Sequence, residues 1–332
     1  MKSAQFKQLV LVSAISAMLA ACGGGGGGST PTSIPAVTPA PTPVVCLAPQ
    51  VNQNGECVTP APTFNAALKP ADLTMACEST YKPATFLVDS TVSSEFRYSQ
   101  NEWGATNMTG WTQCIAAGFS APNTIVSHWT WDWGNNTTVG AVGSGVNTTY
   151  VKSYPNIMYG APNRVTTPTF PKQVATIHTA TVNWDMEITH QASTGGVGRD
   201  GGNLFFDIYF STDAHPMSSQ GSTVNANLSI NVARWGSMDF WNSPFELVTI
   251  DGVEYKFNSA PSNLTGNTAI GATFNTTSQQ YSGTINVISF INFMKARGII
   301  IDANWLDNIQ IGTEISEGKG EAKLNKFAVT VN

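Results

Sequence analysis

Charged residues are scarce in this sequence, and that scarcity excludes one large class of partners. They make up 11 % of the 332-residue chain, less than half of the roughly 25 % usual in soluble domains. The 16 basic residues are outnumbered by 21 acidic ones, which gives a net charge of −5. A protein that binds nucleic acid needs a basic surface to displace counterions from phosphate. We therefore expect no nucleic-acid partner.

Side chains that bind metals are also few. The chain has 4 His and 5 Cys, and the histidines lie far apart, at His128, His178, His190 and His215. Zinc sites need Cys and His at short, regular spacings. We expect no metal site and no cofactor.

No apolar run near the start is long enough to span a membrane. Leu9 to Leu19 is apolar and follows two lysines, but it is shorter than the roughly 20 residues that a spanning helix needs. It is typical of a signal peptide. The run ends at Leu19-Ala-Ala-Cys22, which resembles a bacterial lipobox. We expect residues 1–22 to be a lipoprotein signal with Cys22 lipidated; ordinary secretion with a chance cysteine is the alternative.

Residues 23–76 have the composition of a spacer. Gly23 to Gly28 are six glycines, and a Pro/Thr/Ala-rich run follows as far as Val45. Such a composition cannot bury a core and is typical of flexible or extended linkers. Because position 23 is not Asp, the sorting rule for lipoproteins favours the outer membrane. We expect an exported protein, anchored by lipid in a bacterial cell envelope.

Four cysteines remain after Cys22, and an even number in an exported protein indicates two disulfides. Cys46 and Cys57 flank an Asn-Gly turn and would close a small hairpin. Cys77 and Cys114 would then pair at the start of the main domain, which we place at residues 77–332. The alternative is four free thiols.

The main domain shows short alternating runs separated by Gly, Asn, Ser and Thr, as in β-strands. Asn225 to Val232 alternates strictly, so Leu228, Ile230 and Val232 face one way and the amides and hydroxyls face the other. A second strand, Leu204 to Phe210, is almost wholly apolar but contains the carboxylate of Asp207. Further strands are predicted at 128–133, 309–314 and 327–331.

Only Asn286 to Arg297 reads as a helix. Its apolar residues share one face, and Gly298 can end it. Those residues are Val287, Phe290, Ile291 and Met294. Many short strands with one helix indicate an all-β fold, a jelly roll or β-sandwich of two antiparallel sheets. Strands with one polar and one apolar face indicate that one sheet lines an open groove.

The segment Gly196-Val-Gly-Arg-Asp-Gly201 fits the G-x-G-x-x-G pattern of dinucleotide sites. That site needs a strand before the glycines and a helix after them, so that the helix N-terminus can hold a pyrophosphate. A strand follows here instead. We therefore interpret the segment as a hairpin loop.

A series of segments, taken in order, resembles glycoside hydrolase family 12, the endo-β-1,4-glucanases and xyloglucanases with a β-jelly-roll fold. The resemblance covers about Cys77 to Asn332. The segments are Gln100-Asn-Glu-Trp-Gly104, Gly110-Trp-Thr-Gln-Cys114, the tryptophan-rich strand with Trp129, Trp131 and Trp133, Val151-Lys-Ser-Tyr-Pro-Asn156, the strand with Asp207, Tyr281-Ser-Gly283 and Ile311-Gly-Thr-Glu-Ile315.

The resemblance implies roles for several residues. Family 12 hydrolysis is retaining, with two carboxylates about 5–5.5 Å apart, one a nucleophile and one an acid/base. The Gly-Thr-Glu motif carries the acid/base, here Glu314. An aspartate that supports the nucleophile matches Asp207, and a sugar-stacking tryptophan matches Trp103. The remaining substrate-binding residues implied by the match are Asn101, Asn231 and Trp235.

The nucleophile itself is missing. The family carries it in a Glu-Leu-Met-Ile-Trp-like strand, and the matching stretch is Asn227-Leu-Ser-Ile-Asn231. Asn227 therefore stands where the nucleophilic glutamate belongs, and no Asp or Glu lies between Asp213 and Asp239. An amide is a poor nucleophile and carries no charge to balance a developing oxocarbenium ion.

Three hypotheses follow. The first is a surface lipoprotein, expected to be a monomer, that recognises a β-glucan or xyloglucan-like polysaccharide, with hydrolysis lost or altered. The second is an active endoglucanase with a substitute carboxylate. Asp207 could serve as base for a water in an inverting route, or Asp200 or Asp213 could reach in from a loop. The third is a β-sandwich adhesin or envelope protein with no glycan role, in which Glu314 has no chemistry.

Overall fold

The computed structural model describes most of the chain after residue 64. The described residues are 51–53, 56–58, 65, 67–80, 90, 91, 95–105, 108–133, 151–160, 166–191, 201–214, 223–236, 245–262 and 269–332. The chain divides into two compact units, Met1–Pro60 and Ala61–Asn332. The predicted lipidation site at Cys22 lies outside the described residues.

Within those ranges the chain forms eighteen strands and one α-helix. The strands are β1 Val51–Gln53, β2 Glu56–Val58, β3 Ala76–Glu78, β4 Ser90–Thr91, β5 Phe96–Ser99, β6 Thr112–Ala121, β7 Thr124–Asp132, β8 Asn156–Gly160, β9 Lys172–Gln173, β10 Ala180–Gln191, β11 Gly201–Ser211, β12 Val224–Gly236, β13 Glu246–Ile250, β14 Val253–Ser262, β15 Ala269–Thr276, β16 Ser282–Asn286, β17 Trp305–Ile315 and β18 Lys319–Val331, and the helix is α1 Val287–Ala296.

Two large sheets make up the second unit. The smaller has the order β16-β10-β18-β7-β6-β3, and the larger has β13-β14-β15-β12-β11-β17-β8-β5-β4, with β9 also paired to β17. All described pairs are antiparallel except β12 with β15. One hydrophobic core contains residues from both sheets. The predicted β-sandwich jelly roll with one helix is therefore confirmed.

Strand β12 shows why the sheets pack as they do. Leu228, Ile230 and Val232 are fully buried in the core, while Asn227 and Ser229 are partly exposed on the opposite face. Burying a side chain of this size contributes roughly 1.5–3 kcal/mol. The period-two alternation of the sequence therefore decides which face meets the other sheet.

The tryptophans of β7 and its end are core residues. Trp129, Trp131 and Trp133 are at most 3 % exposed. Trp133 stacks on Trp111, with ring centroids 4.4 Å apart. The stripe therefore packs inside the protein and does not line the open face of the larger sheet.

The helix agrees with its sequence pattern. Its buried residues are Val287, Phe290, Ile291 and Met294, the four predicted to share a face. Gly298 follows with φ +67°, the left-handed conformation that glycine adopts without strain at a helix end. No helix in the described part of the chain is long and apolar enough to cross a membrane.

Two of the expected cysteine features fall on described backbone. Cys77 and Cys114 form a disulfide between the adjacent strands β3 and β6. In the first unit, β1 and β2 pair antiparallel with Gln53 opposite Glu56, as a two-residue turn requires. Cys46 lies outside the described residues, so its bond to Cys57 stays a prediction.

One loop prediction is wrong. The segment before Gly201 was expected to be a hairpin loop, but the strands on its two sides belong to different sheets: β10 lies in the smaller sheet and β11 in the larger. The strand after the glycines is present, as predicted. Alternation predicted that strand but carries no information about its partner.

Candidate active site

Glu314 owes its position to the two residues before it. The Thr313 hydroxyl faces the core and accepts a hydrogen bond from Trp129 Nε1 of the other sheet at 2.9 Å. Since side chains alternate along a strand, Glu314 then faces away from the core. A Cβ at Gly312 would lie 2.6 Å from Tyr154 Cε2 and 2.5 Å from Pro155 O, so only glycine lets Tyr154 pack there.

Asn203 holds Glu314 on this face. The two residues are opposite each other on β11 and β17. The Asn203 amide nitrogen donates to Glu314 Oε2 at 3.0 Å and to Asn231 Oδ1 at 2.9 Å. The side-chain oxygen Asn203 Oδ1 accepts the Glu314 backbone N–H at 3.1 Å. One buried amide thus links the predicted acid/base to Asn231, which was predicted to bind substrate.

Asp207, on β11, lies on the same face of the sheet as Glu314. The adjacent strand β12 carries Asn227. Tyr209 Oη donates to Asp207 Oδ2 at 2.5 Å, and Asn227 Nδ2 donates to Asp207 Oδ1 at 3.2 Å. Asn227 Nδ2 also donates to Ser229 Oγ at 3.1 Å. The predicted contact between Asp207 and the residue at the nucleophile position is therefore present, with an amide as partner.

The two carboxyl groups have raised pKa values. Burial raises the pKa of Asp207 to about 6, although hydrogen bonds from Tyr209, Asn227 and Ser229 lower it. Burial raises the pKa of Glu314 to about 7; the hydrogen bond from Asn203 lowers it and the charge of Asp207 raises it. Between these two values Asp207 is ionised while Glu314 keeps its proton.

Tyr154 completes this group of side chains. Its ring packs against Phe205, with centroids 4.6 Å apart, and the residue is 5 % exposed. Burial, and then the charges of Asp207 and Glu314, raise the pKa of its phenol. Among the described residues, the buried hydroxyl has no hydrogen-bond partner. It is a free donor close to both carboxyl groups.

The first family motif lies beside this site. Trp103 is partly exposed, and the next residue, Gly104, donates its N–H to Lys152 O at 2.9 Å. Asn101 has φ +46°, a left-handed conformation that Asn tolerates better than most residues, and its carbonyl accepts from Tyr154 N at 2.9 Å. These bonds connect the Trp103 loop to the segment that carries Tyr154.

Trp235 has a different environment from Trp103. It is 8 % exposed, belongs to the hydrophobic core and stacks on Trp131 with centroids 5.9 Å apart. A Cβ at Gly202 would lie 2.2 Å from the Trp235 ring, so the ring covers that glycine. Trp235 therefore packs in the core, and we do not propose it as a sugar-binding residue.

Of the two loop carboxylates considered as substitutes, Asp213 is described, and it follows the end of β11 that is far from Asn203 and Glu314. Asp213 accepts a hydrogen bond from Thr223 Oγ1 at 3.2 Å. Burial, and then the charge of Asp213, raise the pKa of Asp307 to about 8. Asp307 accepts from Ser211 at the far end of β11 from Asn203. Asp200 lies outside the described residues. Among the described residues, no group of three or more His, Cys, Asp or Glu could hold a metal ion.

Sequence reasoning missed three residues that build the site, namely Asn203, Tyr209 and Tyr154. Asn203 and Tyr209 follow from alternation alone, since residues 203, 205, 207 and 209 share a face with Asp207. Tyr154 lies within a family-like motif but precedes its strand. Only the close approach over Gly312 brings it to the carboxyl groups.

Comparison with known proteins identifies relatives of low sequence identity. No protein-family model matches the chain. The chain is 23 % identical over 248 residues to the xyloglucan-specific endo-β-1,4-glucanase A of Emericella nidulans, covering 74 % of this chain and 89 % of that protein.

Solved structures resemble the chain over their whole length. A family 12 xyloglucanase from Bacillus licheniformis has a TM-score of 0.61 at 20 % identity, covering 77 % of this chain and 100 % of that one. Endoglucanase 3 from Trichoderma harzianum has a TM-score of 0.57 at 19 % identity, covering 79 % and 99 %. An endoglucanase from Rhodothermus marinus has a TM-score of 0.56 at 21 % identity, covering 78 % and 99 %. The chain therefore has the fold of the family 12 glycoside hydrolases.

Proposed function

We propose that this protein recognises a β-1,4-glucan-type polysaccharide on the polar face of its larger sheet and does not hydrolyse it by the two-carboxylate retaining route. One observation carries the proposal. The side chain that approaches Asp207 from β12, at 3.2 Å, is the amide of Asn227. Its neighbours on that face, Ser229 and Asn231, are also uncharged.

The chemistry of an amide supports loss of the two-step reaction. A retaining mechanism needs a nucleophile that forms a glycosyl-enzyme bond and a negative charge that stabilises the oxocarbenium-like transition state. The Asn227 amide supplies neither, and its nitrogen is engaged as a donor to Asp207 and Ser229. The groups that hold Glu314 and Asp207 in place remain, so the surface keeps polar groups that can bind sugar hydroxyls.

The relatives support the choice of ligand. The Emericella protein is described as specific for xyloglucan, and a Bacillus neighbour in structure is a xyloglucanase. A partly exposed Trp103 beside a row of amides and carboxyls suits a sugar, because a sugar ring has an apolar C–H face and a polar rim. β-Glucan and xyloglucan are therefore the probes to use.

The test compares binding with turnover. Wild type, Asn227→Glu and Glu314→Gln are each assayed for retention on β-glucan and xyloglucan in affinity gels and for release of reducing ends. We expect wild type to bind and release none, and Asn227→Glu to gain release. Asn227→Gln is the matched control, since it has the length of Glu without the charge. Turnover by wild type with retained anomeric configuration would contradict the proposal, and turnover with inversion would favour the single-step route described next. Absence of binding would favour the adhesin-like alternative.

A second function is favoured by the raised pKa values. With Asp207 at about 6 and Glu314 at about 7, one carboxyl can act as base and the other as acid near neutral pH. A water activated by Asp207 would then attack in a single inverting step. This route needs roughly 6.5–9.5 Å between the carboxyl groups.

The two functions differ in their response to Asp207→Asn. If wild type is active, the inverting route requires Asp207→Asn and Glu314→Gln each to abolish release. The first sugar product, followed by proton NMR, must also have inverted anomeric configuration. If wild type is silent, Asp207→Asn changes only affinity.

We also propose that the protein is a monomeric lipoprotein of the bacterial cell envelope, anchored at Cys22 and sorted to the outer membrane. The basic start, the short apolar run and the lipobox-like Leu-Ala-Ala-Cys support this. Mass spectrometry of the N-terminal peptide from membrane fractions tests it. A diacylglycerol-modified Cys22 is expected, and Cys22→Ser is expected to release the protein from the membrane. An unmodified Cys22 within an intact chain would contradict it.

A further inference from the structure

The edge strand β13 exposes two large apolar side chains. Phe245, just before the strand, is 52 % exposed and Leu247 is 56 % exposed. Their neighbours Val248 and Ile250 are buried in the core. Exposed apolar residues on an edge strand invite unwanted pairing, and proteins usually avoid them. Their exposure here indicates that a ligand or a partner covers them.

The strand register connects Leu247 to the candidate site. Leu247 is opposite Lys256 on β14, Lys256 is opposite Asn275 on β15, and Asn275 is opposite Asn231 on β12. Asn231 accepts the hydrogen bond of the same Asn203 amide that holds Glu314. A row of side chains therefore runs across the sheet, perpendicular to the strands, from Asn231 to the edge, and the Asn203 side-chain amide connects Asn231 to Glu314.

The row has the length of an extended ligand. From β12 to β13 it crosses three inter-strand spacings, roughly 14 Å. Its middle consists of Asn275 and the exposed Lys256. In the described part of the chain, the buried Oδ1 of Asn275 has no hydrogen-bond partner. Trp103 lies on the other side of Glu314, beside the 151–154 segment. The candidate site thus has an exposed aromatic ring toward each end.

Arg297 anchors the edge strand on the face opposite Phe245 and Leu247. Arg297, at the end of α1, donates to both carboxylate oxygens of Glu246 at 2.7 Å. Its guanidinium lies over the rings of Phe257 and Phe293, at 5.2 and 4.6 Å from their centroids. On the exposed side, Lys256 Nζ lies 4.8 Å from the Phe245 centroid. Arg297 therefore anchors Glu246, the residue between Phe245 and Leu247, and the Lys256 ammonium contacts the Phe245 ring.

We infer that Phe245 and Leu247 form a distal subsite for sugar rings of the same glycan chain that lies over Glu314, with Lys256 and Asn275 binding its hydroxyls. This inference rests on the proposed function and specifies it further: the ligand is a chain long enough to reach the edge strand. An apolar ring with a lysine and an amide beside it matches the apolar face and polar rim of a sugar. The row links it continuously to the site.

Oligosaccharide length provides the test. Full-length wild type, Phe245→Ala and Leu247→Ala are titrated calorimetrically with cellotriose and cellohexaose, with chromatography confirming that the sugars stay intact. We expect Phe245→Ala to weaken cellohexaose binding about tenfold and to leave cellotriose binding unchanged. Phe245→Trp is expected to restore the affinity for the longer sugar.

Ile301→Ala is the matched control, because Ile301 is 59 % exposed and lies outside the row. It should change neither affinity. Equal loss for both sugars, or no loss for cellohexaose, would overturn the inference while leaving glycan recognition intact. If wild type binds neither sugar nor polysaccharide, the proposed function itself fails. If Phe245→Ala instead converts an oligomer to a monomer in sedimentation, the edge is an interface between copies and the subsite is wrong.

Discussion

The two faces of strand β12 differ sharply in burial and in polarity. On the core face, Leu228, Ile230 and Val232 are fully buried and continue the packing between the sheets. On the other face, Asn227, Ser229 and Asn231 bind neighbouring side chains through amide and hydroxyl groups. One strand therefore carries the core packing and the candidate site as separate sets of residues. The alternation of side chains lets one set change while the other is kept.

The largest expected effect comes from a substitution on the core face. Ile230→Ala should lower the free energy of unfolding by about 2–5 kcal/mol, because it leaves a cavity between the sheets. Ser229→Ala, one residue away on the polar face, should cost about 1 kcal/mol or less, since it removes only partly exposed hydrogen bonds. Urea unfolding followed by tryptophan fluorescence measures both. Equal costs would mean that the two faces are not energetically separate.

A second prediction concerns the dependence of stability on pH that the carboxyl groups of the polar face produce. The pKa values of Asp207 and Glu314, at about 6 and about 7, lie above their ordinary values. The folded protein therefore binds more protons than the unfolded chain between about pH 4 and 7, and its stability should fall as the pH rises through this range. The melting temperature at about pH 5 should exceed that at about pH 8 by a few degrees.

Glu314→Gln should flatten this profile, because it removes one of the three carboxyl groups, among the described residues, whose pKa is raised by burial, the others being Asp207 and Asp307. Ile230→Ala should lower the whole profile without changing its shape, since it removes no titrating group. A wild-type profile that rises between pH 5 and 8 would contradict the assignment of both carboxyl groups.

The smallest predicted effect concerns one hydrogen bond on the polar face. Asn203→Ala removes the donor that lowers the pKa of Glu314. That pKa should therefore rise above its present value, by about one pH unit. Carbon-13 NMR titration of labelled glutamate side chains measures the change. Ser229→Ala, which does not contact Glu314, should leave it in place; an unchanged pKa in Asn203→Ala would show that the bond is weak in solution.

The sequence was sufficient for the helix and for five strands of the main domain, those at 128–133, 204–210, 225–232, 309–314 and 327–331. The alternation in 225–232 and the one-sided apolar face of α1 each depend on local chain geometry alone. The sheet partner of β11 could not be predicted in this way, and the expected hairpin before Gly201 was wrong. Pairing depends on packing between distant segments, which no local pattern records.

The site could be predicted only where single residues carry the family resemblance. Glu314, Asp207 and Asn227 fall on one face as expected, because each belongs to a strand with a recognisable motif. Asn203 and Tyr154 act through contacts between elements, and in the sequence they look like ordinary strand and loop residues.

The bond between Cys77 and Cys114 encloses more than two strands. It closes a covalent ring of chain, with a sequence separation of 37, and Trp103 lies on that ring. A protease that cuts one peptide bond between the two cysteines leaves both new ends attached to the domain. The segment carrying Trp103 would separate only after a second cut or after reduction, so this segment is held to the domain by topology as well as by packing.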